Sequence, residues 1–130
     1  MSQRNLNRIL LVEDDPDIQT VTSLALGTFG GFDVHICGSA HDAVQAAAGF
    51  RPDLILLDVM MPGMDGIEAL SALRRDPDVG QVPVVFLTAR VQPQEVERYR
   101  SLGSLAVIAK PFEPSELAAR IRDIWEKHDG

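Results

Sequence analysis

The chain has 130 residues, 12 Lys+Arg against 19 Asp+Glu for a formal net charge of −7, and 45 % hydrophobic residues. Such a chain can bury a core without disulfide or metal staples, and its single Cys37 excludes an intrachain disulfide, a zinc knuckle and a thioredoxin-like pair while pointing to a reducing compartment. The acidic balance, with no basic cluster to offset it, disfavours direct binding to nucleic acid or anionic lipid, and no apolar run approaches the roughly 20 residues that span a bilayer.

The segment from Met1 to Arg8 is polar and lacks the apolar core of a signal peptide, so a cytoplasmic location is expected. It runs into a first strand, Ile9-Leu10-Leu11-Val12. Asp15-Pro16 then places a capping residue before an N1 proline, and Ile18, Val21, Ala25 and Phe29 recur near the helical period. A second strand spans Phe32 to Cys37. Ser39 with Asp42 makes a capping-box pattern for a helix carrying Ala40, Ala43, Val44 and Ala47. The third strand is Leu54-Ile55-Leu56-Leu57, followed by a helical stripe at Ile67, Leu70 and Leu73. The fourth is Val84-Val85-Phe86-Leu87, followed by a stripe at Val96, Tyr99 and Leu102. The fifth runs from Leu105 to Ala109, and Pro114 opens a last helix on Leu117, Ile121 and Ile124.

Strands recurring at offsets of 25, 20, 30 and 21 residues, each followed by a helix, predict repeated βα units: a parallel α/β sheet with helices on both faces. Strands one, three and four are continuous apolar runs, as burial on both faces requires. Strand two alternates Phe32, Asp33, Val34, His35, Ile36 and is expected at an edge. The sequence shows no linker or second hydrophobic unit, so residues 1–130 are read as one domain with its core at about 8–127.

Polar residues stand at the carboxyl ends of four strands: Glu13-Asp14-Asp15, Asp58, Thr88 and Lys110. In an open parallel sheet these ends share one edge, where ligands bind. Taken singly, each has a plain reading: Asp15 as a helix cap, Asp14 as a solvated loop acid, Asp58 as a strand-end acid, Thr88 as a β-former, Lys110 as a surface charge. Together they are harder to dismiss, because an apolar strand delivers each to the same edge. Like charges about 4 Å apart repel by about 4 kcal/mol at an effective dielectric near 20, so clustered carboxylates invite a divalent cation, and oxygen-only ligands favour magnesium over zinc. His35, His41 and His128 lack metal-ligand spacing, and Arg74-Arg75 reads as a solvated helix end.

These residues resemble the receiver domain of two-component response regulators over most of the chain, from Ile9 to about Trp125. The match rests on Asp14-Asp15, on Asp58 with Met61-Pro62 and Asp65-Gly66, on Thr88-Ala89, and on Lys110-Pro111-Phe112. The resemblance implies a single doubly wound (βα)5 domain of flavodoxin-like receiver fold, with a five-stranded parallel sheet in the order 2-1-3-4-5. It implies that Asp58 accepts a phosphoryl group from a histidine kinase or histidine phosphotransfer protein. Asp15 would ligate magnesium directly and Asp14 through water, with Asp58 and the Met60 carbonyl completing the set. Lys110 and Thr88 would hold the phosphoryl oxygens, Ala89 would leave room for them, and Lys110–Pro111 would be cis.

By the same resemblance the chain is no enzyme beyond its own phosphorylation and dephosphorylation. It would signal to a downstream protein target through the face of helix 4, strand 5 and helix 5, as a monomer or as a weak dimer through that face. No output domain is evident, so a stand-alone receiver is expected. One departure is Val107, where receivers usually carry an aromatic three residues before the lysine; Tyr99 is expected to point from its helix toward the sheet beside it. Three other readings share parts of this pattern. A flavodoxin-like carrier is disfavoured by three acids where a flavin phosphate would sit, and a magnesium-dependent aspartyl phosphatase by Met60 where a second aspartate belongs. A phosphorylation-independent interaction module of receiver fold is disfavoured by retention of all five site residues.

Overall fold

The computed structural model describes residues 5–61, 64–77 and 80–129, with backbone only at 60, 61, 64–66 and 129. Pro62 of the Met61-Pro62 motif lies outside the described residues. Five strands, β1 (Arg8–Val12), β2 (Asp33–Cys37), β3 (Leu54–Asp58), β4 (Val84–Thr88) and β5 (Ala106–Ala109), form one parallel sheet in the order β2-β1-β3-β4-β5. The predicted order and the edge position of β2 are therefore both observed. A separate two-residue antiparallel ladder pairs Met60 with Asp65 and Met61 with Met64, just beyond β3.

The helices are α1 (Pro16–Ser23), α2 (Ala40–Phe50), α3 (Gly66–Arg75), α4 (Pro93–Ser101) and α5 (Pro114–Asp129). Their starts follow the expected chemistry. The Asp15 side chain accepts from the N–H groups of Asp17 and Ile18, and the Ser39 hydroxyl accepts from that of Asp42. Burial on both sides of the central strands divides the core in two. One half packs α2, α3 and α4 residues such as Ala43, Leu73 and Tyr99 against Leu10, Ile55, Leu57 and Phe86. The other packs Leu26, Leu117, Ile121 and Trp125 against Ile9, Leu11, Leu56 and Ile108. All of these strand residues are fully buried.

The stripe predicted for α1 is corrected by the structure. Ala25 is buried as predicted, but Val21 is 42 % and Phe29 77 % exposed, and Thr22 and Leu26 face the core in their place. For Phe29 the reason is a π-helical segment, Leu24–Thr28, that continues α1 and accommodates one residue more than a regular turn, swinging Phe29 outward. The chain then returns through Gly30, where an added Cβ would stand 2.6 Å from the Leu26 carbonyl oxygen and 2.8 Å from Ala118 Cβ of α5. Only glycine permits that approach. Arg122 of α5 fastens the same junction by donating to the Gly30 carbonyl and stacking over the Phe32 ring at 4.5 Å.

Tyr99 does point into the protein. It is buried, and its ring meets Phe86 edge to face at 5.2 Å and 89°. Val107 lies opposite Phe86 on β5 and packs against the same cluster. Leu102 falls outside α4 and is exposed, so that helix ends before the predicted stripe does. Tyr99→Ala should lower unfolding stability by about 2–3 kcal/mol through lost burial and the lost ring pair. Denaturant midpoints at unchanged slope would measure this, and a change below about 0.5 kcal/mol would contradict the packing role.

Candidate functional site

Each strand end delivers one side chain to a common pocket. Glu13 follows β1 and is fully buried; Asp58 closes β3 at 2 % exposure; Thr88 closes β4, fully buried; Lys110 follows β5. The register brings Asp58 level with Leu87 and Thr88 level with Ala109, so these ends are adjacent across the sheet. The Lys110–Pro111 peptide is cis, as the resemblance implied.

The Lys110 ammonium stands 3.0 Å from Glu13 Oε1 and 3.1 Å from Asp58 Oδ1. It holds two buried carboxylates with one charge. Glu13 is fixed further by its Oε2, which accepts from the Asp15 N–H at 3.2 Å, while its carbonyl accepts from the Gln19 side chain. Burial pushes the Glu13 carboxyl up to about 7; the neighbouring Asp58 adds to the rise, and Lys110 opposes it. Burial pulls the Lys110 ammonium the other way, but Glu13 and Asp58 outweigh it and its pKa is raised. Thr88 Oγ1 accepts from the Arg90 N–H at 3.0 Å, leaving its own proton free to donate.

The raised Glu13 value has a direct consequence for the metal-free fold. Between its ordinary 4.5 and about 7, the native state keeps a proton that the unfolded chain has lost. Stability in chelator should therefore fall as pH rises through that window and level off above it. Flat unfolding midpoints from pH 4.5 to 7.5 would contradict the burial of this acid.

The structure groups the acids with Glu13 where Asp15 was expected. Carboxylate oxygens of Glu13, Asp14 and Asp58 lie within 4.8 Å of one another, and this is the group among the described residues that could hold a metal ion. Asp15, expected as the direct ligand, instead spends Oδ1 on the N–H groups of Asp17 at 2.8 Å and Ile18 at 3.3 Å. Its capping duty turns it along α1, and Glu13 occupies the inner position. The signal for Glu13 was present in the sequence: it continues, without a break, a strand buried on both faces. Ala89 is exposed and lines a cavity of about 360 Å³ with Ile18, Val21, Lys110, Pro111 and Phe112.

Oxygen-rich acids and one half-buried lysine are gathered at the carboxyl edge of a doubly wound sheet, the edge where open α/β folds bind ligands. The chain belongs to the response regulator receiver domain family, whose model matches residues 9–122. It is 41 % identical over 115 residues to the DNA-binding response regulator MtrA of Mycolicibacterium smegmatis, covering 88 % of this chain and 49 % of that one. It is 35 % identical over 122 residues to the regulator RpaA of Synechocystis, covering 94 % and 50 %. The chain thus spans about half the length of the curated relatives it matches.

Among solved structures, the chemotaxis protein CheY4 of Vibrio cholerae superposes with a TM-score of 0.83 at 27 % identity, covering 92 % of this chain and 99 % of that one. The receiver domain of the sensor histidine kinase PA1611 of Pseudomonas aeruginosa, solved with a magnesium ion in its active-site cleft, superposes with a TM-score of 0.79 at 32 % identity, covering 94 % and 99 %. The chain is therefore a receiver domain of the two-component response regulators. No helix among the described residues is long and apolar enough to cross a membrane.

Proposed function

We propose that Asp58 accepts a phosphoryl group from a phosphohistidine of a histidine kinase or histidine phosphotransfer protein, and that the resulting acyl phosphate is the signalling state. The observation that carries this is the Lys110 ammonium held between Glu13 and Asp58. It is a half-buried cation already placed beside the nucleophile, with the Thr88 hydroxyl on the neighbouring strand end. An Asp58 oxygen attacks phosphorus, the P–N bond to the imidazole breaks, and the imidazole nitrogen takes the electron pair. Lys110 then pairs with the phosphoryl oxygens, Thr88 donates its hydroxyl proton to one of them, and Ala89 leaves the approach open. Attack by water reverses the modification, so the chain acts on itself alone.

Three clustered carboxylates with oxygen-only donors fit magnesium. We assign Glu13, Asp14 and Asp58 to it, with the Met60 carbonyl as the resemblance implies, and leave Asp15 at its helix cap. When bound, the ion supplies positive charge that neutralises the incoming phosphoryl oxygens. The cavity lined by Ile18, Val21, Pro111 and Phe112 opens beside Lys110 and suits an apolar contact from the phosphodonor. The output is read by a protein target on the face of α4, β5 and α5, where a weak dimer of the activated chain would also form. The acidic chain itself contacts neither nucleic acid nor membrane and works in the cytoplasm as one domain over residues 1–130.

Magnesium at 100 times its dissociation constant should raise stability by about 2.7 kcal/mol. Asp14→Ala should lose that response. Asp15→Ala should keep it while costing about 1 kcal/mol for the lost cap. Thermal midpoints with and without magnesium separate the two, and the reverse pattern would restore Asp15 as the ligand. The function is tested by intact mass spectrometry after acetyl phosphate treatment: one phosphoryl group is expected with magnesium and none in excess chelator. Incorporation that ignores magnesium would contradict the reading.

A further inference from the structure

We infer that the outer edge of β2 is a self-association surface, pairing antiparallel with β2 of a second copy of this chain about a two-fold axis at Val34. The backbone pattern defines which groups are available. The Asp33 N–H donates to the Asn7 carbonyl and the Cys37 carbonyl accepts from the Glu13 N–H, so Asp33, His35 and Cys37 turn their backbone groups toward β1. By strand alternation, Val34 and Ile36 turn theirs outward. No strand covers that side of the sheet among the described residues.

Three symmetric registers, with the axis at Val34, His35 or Ile36, pair outward backbone groups of β2, and the side chains choose among them; an axis at Ile36 would set His35 against Cys37 and lose the Asp33–His35 contact. With the axis at Val34, the two Val34 residues exchange a pair of hydrogen bonds, and each Asp33 stands opposite His35 of the other copy. A carboxylate then meets an imidazole twice, at positions where cross-strand side chains are closest. Moving the axis to His35 would set the two imidazoles against each other and Asp33 against Cys37, losing both contacts. The His35 ring is already seated on the same face, 5.3 Å from Phe50 of α2, and Arg8 Nε lies 3.9 Å from Asp33, so both partners of the pair are directed.

On the opposite face Val34 packs with the cluster beneath α1 and α5, and Ile36 is 37 % exposed. The π-helical segment beside β2 adds exposed Leu24 and Phe29, apolar area that an edge of five residues needs for a stable contact. The surface is independent of the phosphorylation site and requires no modification.

Sedimentation of the unphosphorylated full chain should show a concentration-dependent monomer–dimer equilibrium. Val34→Pro removes an N–H that bonds to nothing within the sheet, so the monomer should keep its circular dichroism while dimerisation weakens at least tenfold. Asp33→Lys should weaken it as well, and adding His35→Glu should restore it by exchanging the charges. In a mixture of Asp33→Cys and His35→Cys proteins, the unlike pair should cross-link faster than either like pair. A chain that remains monomeric to millimolar concentration overturns the proposal. So does a dimer that survives Val34→Pro, which would place association on another face, or a cross-link with no preference for the unlike pair.

Discussion

Lys110→Met should lower the stability of the metal-free protein by about 3–5 kcal/mol above pH 7, the cost of removing one partner from a buried charge cluster. Glu13 and Asp58 would remain at 0 % and 2 % exposure with no ammonium between them. Below about pH 7 the deficit should shrink, because Glu13 then carries a proton in the native state. Magnesium should recover part of it, since a cation at the carboxylates replaces the charge that was removed. Denaturant midpoints across pH, in chelator and in magnesium, measure all three effects. A variant within about 0.5 kcal/mol of the parent at pH 8 would mean that the cluster is solvated, and the electrostatic account of the site would fail.

Asp58→Asn should abolish phosphoryl incorporation altogether while leaving the fold intact. The amide fills the same volume at the end of β3 but offers no carboxylate oxygen to attack phosphorus. Relieved of one neighbouring acid, Glu13 should titrate closer to its ordinary range, so the pH window of metal-free instability should narrow. Fluorescence or calorimetric unfolding reports the second effect and intact mass the first. Retained incorporation in this variant would move the phosphoacceptor elsewhere.

Much of this was legible in the residues because burial writes itself into the strands. Ile9 to Val12, Leu54 to Leu57 and Val84 to Leu87 are apolar without interruption, and each is followed at once by a polar residue that the strand carries to the sheet edge. Asp58 and Thr88 stand out that way, and Lys110 by the same rule after the run from Leu105 to Ala109. Glu13 follows its strand in the same way, but in a run of three acids the spacing alone leaves open which of them faces the cluster. Asp15 is turned by the helix it caps, and Glu13 is held inward by the strand that precedes it. The outward Phe29 was hidden for another reason: its spacing fits a regular helix, and a π-helical turn changes which residues share a face without leaving a mark in that spacing.

The most direct measurement is chemical trapping of the modified residue. The protein is treated with acetyl phosphate and magnesium, then reduced with borohydride, which converts an acyl phosphate of aspartate into homoserine, and the digest is read by tandem mass spectrometry. Homoserine at position 58 alone is the predicted result. Homoserine at 14 or 15, or an unreduced Asp58 in protein that has gained a phosphoryl group, would contradict it.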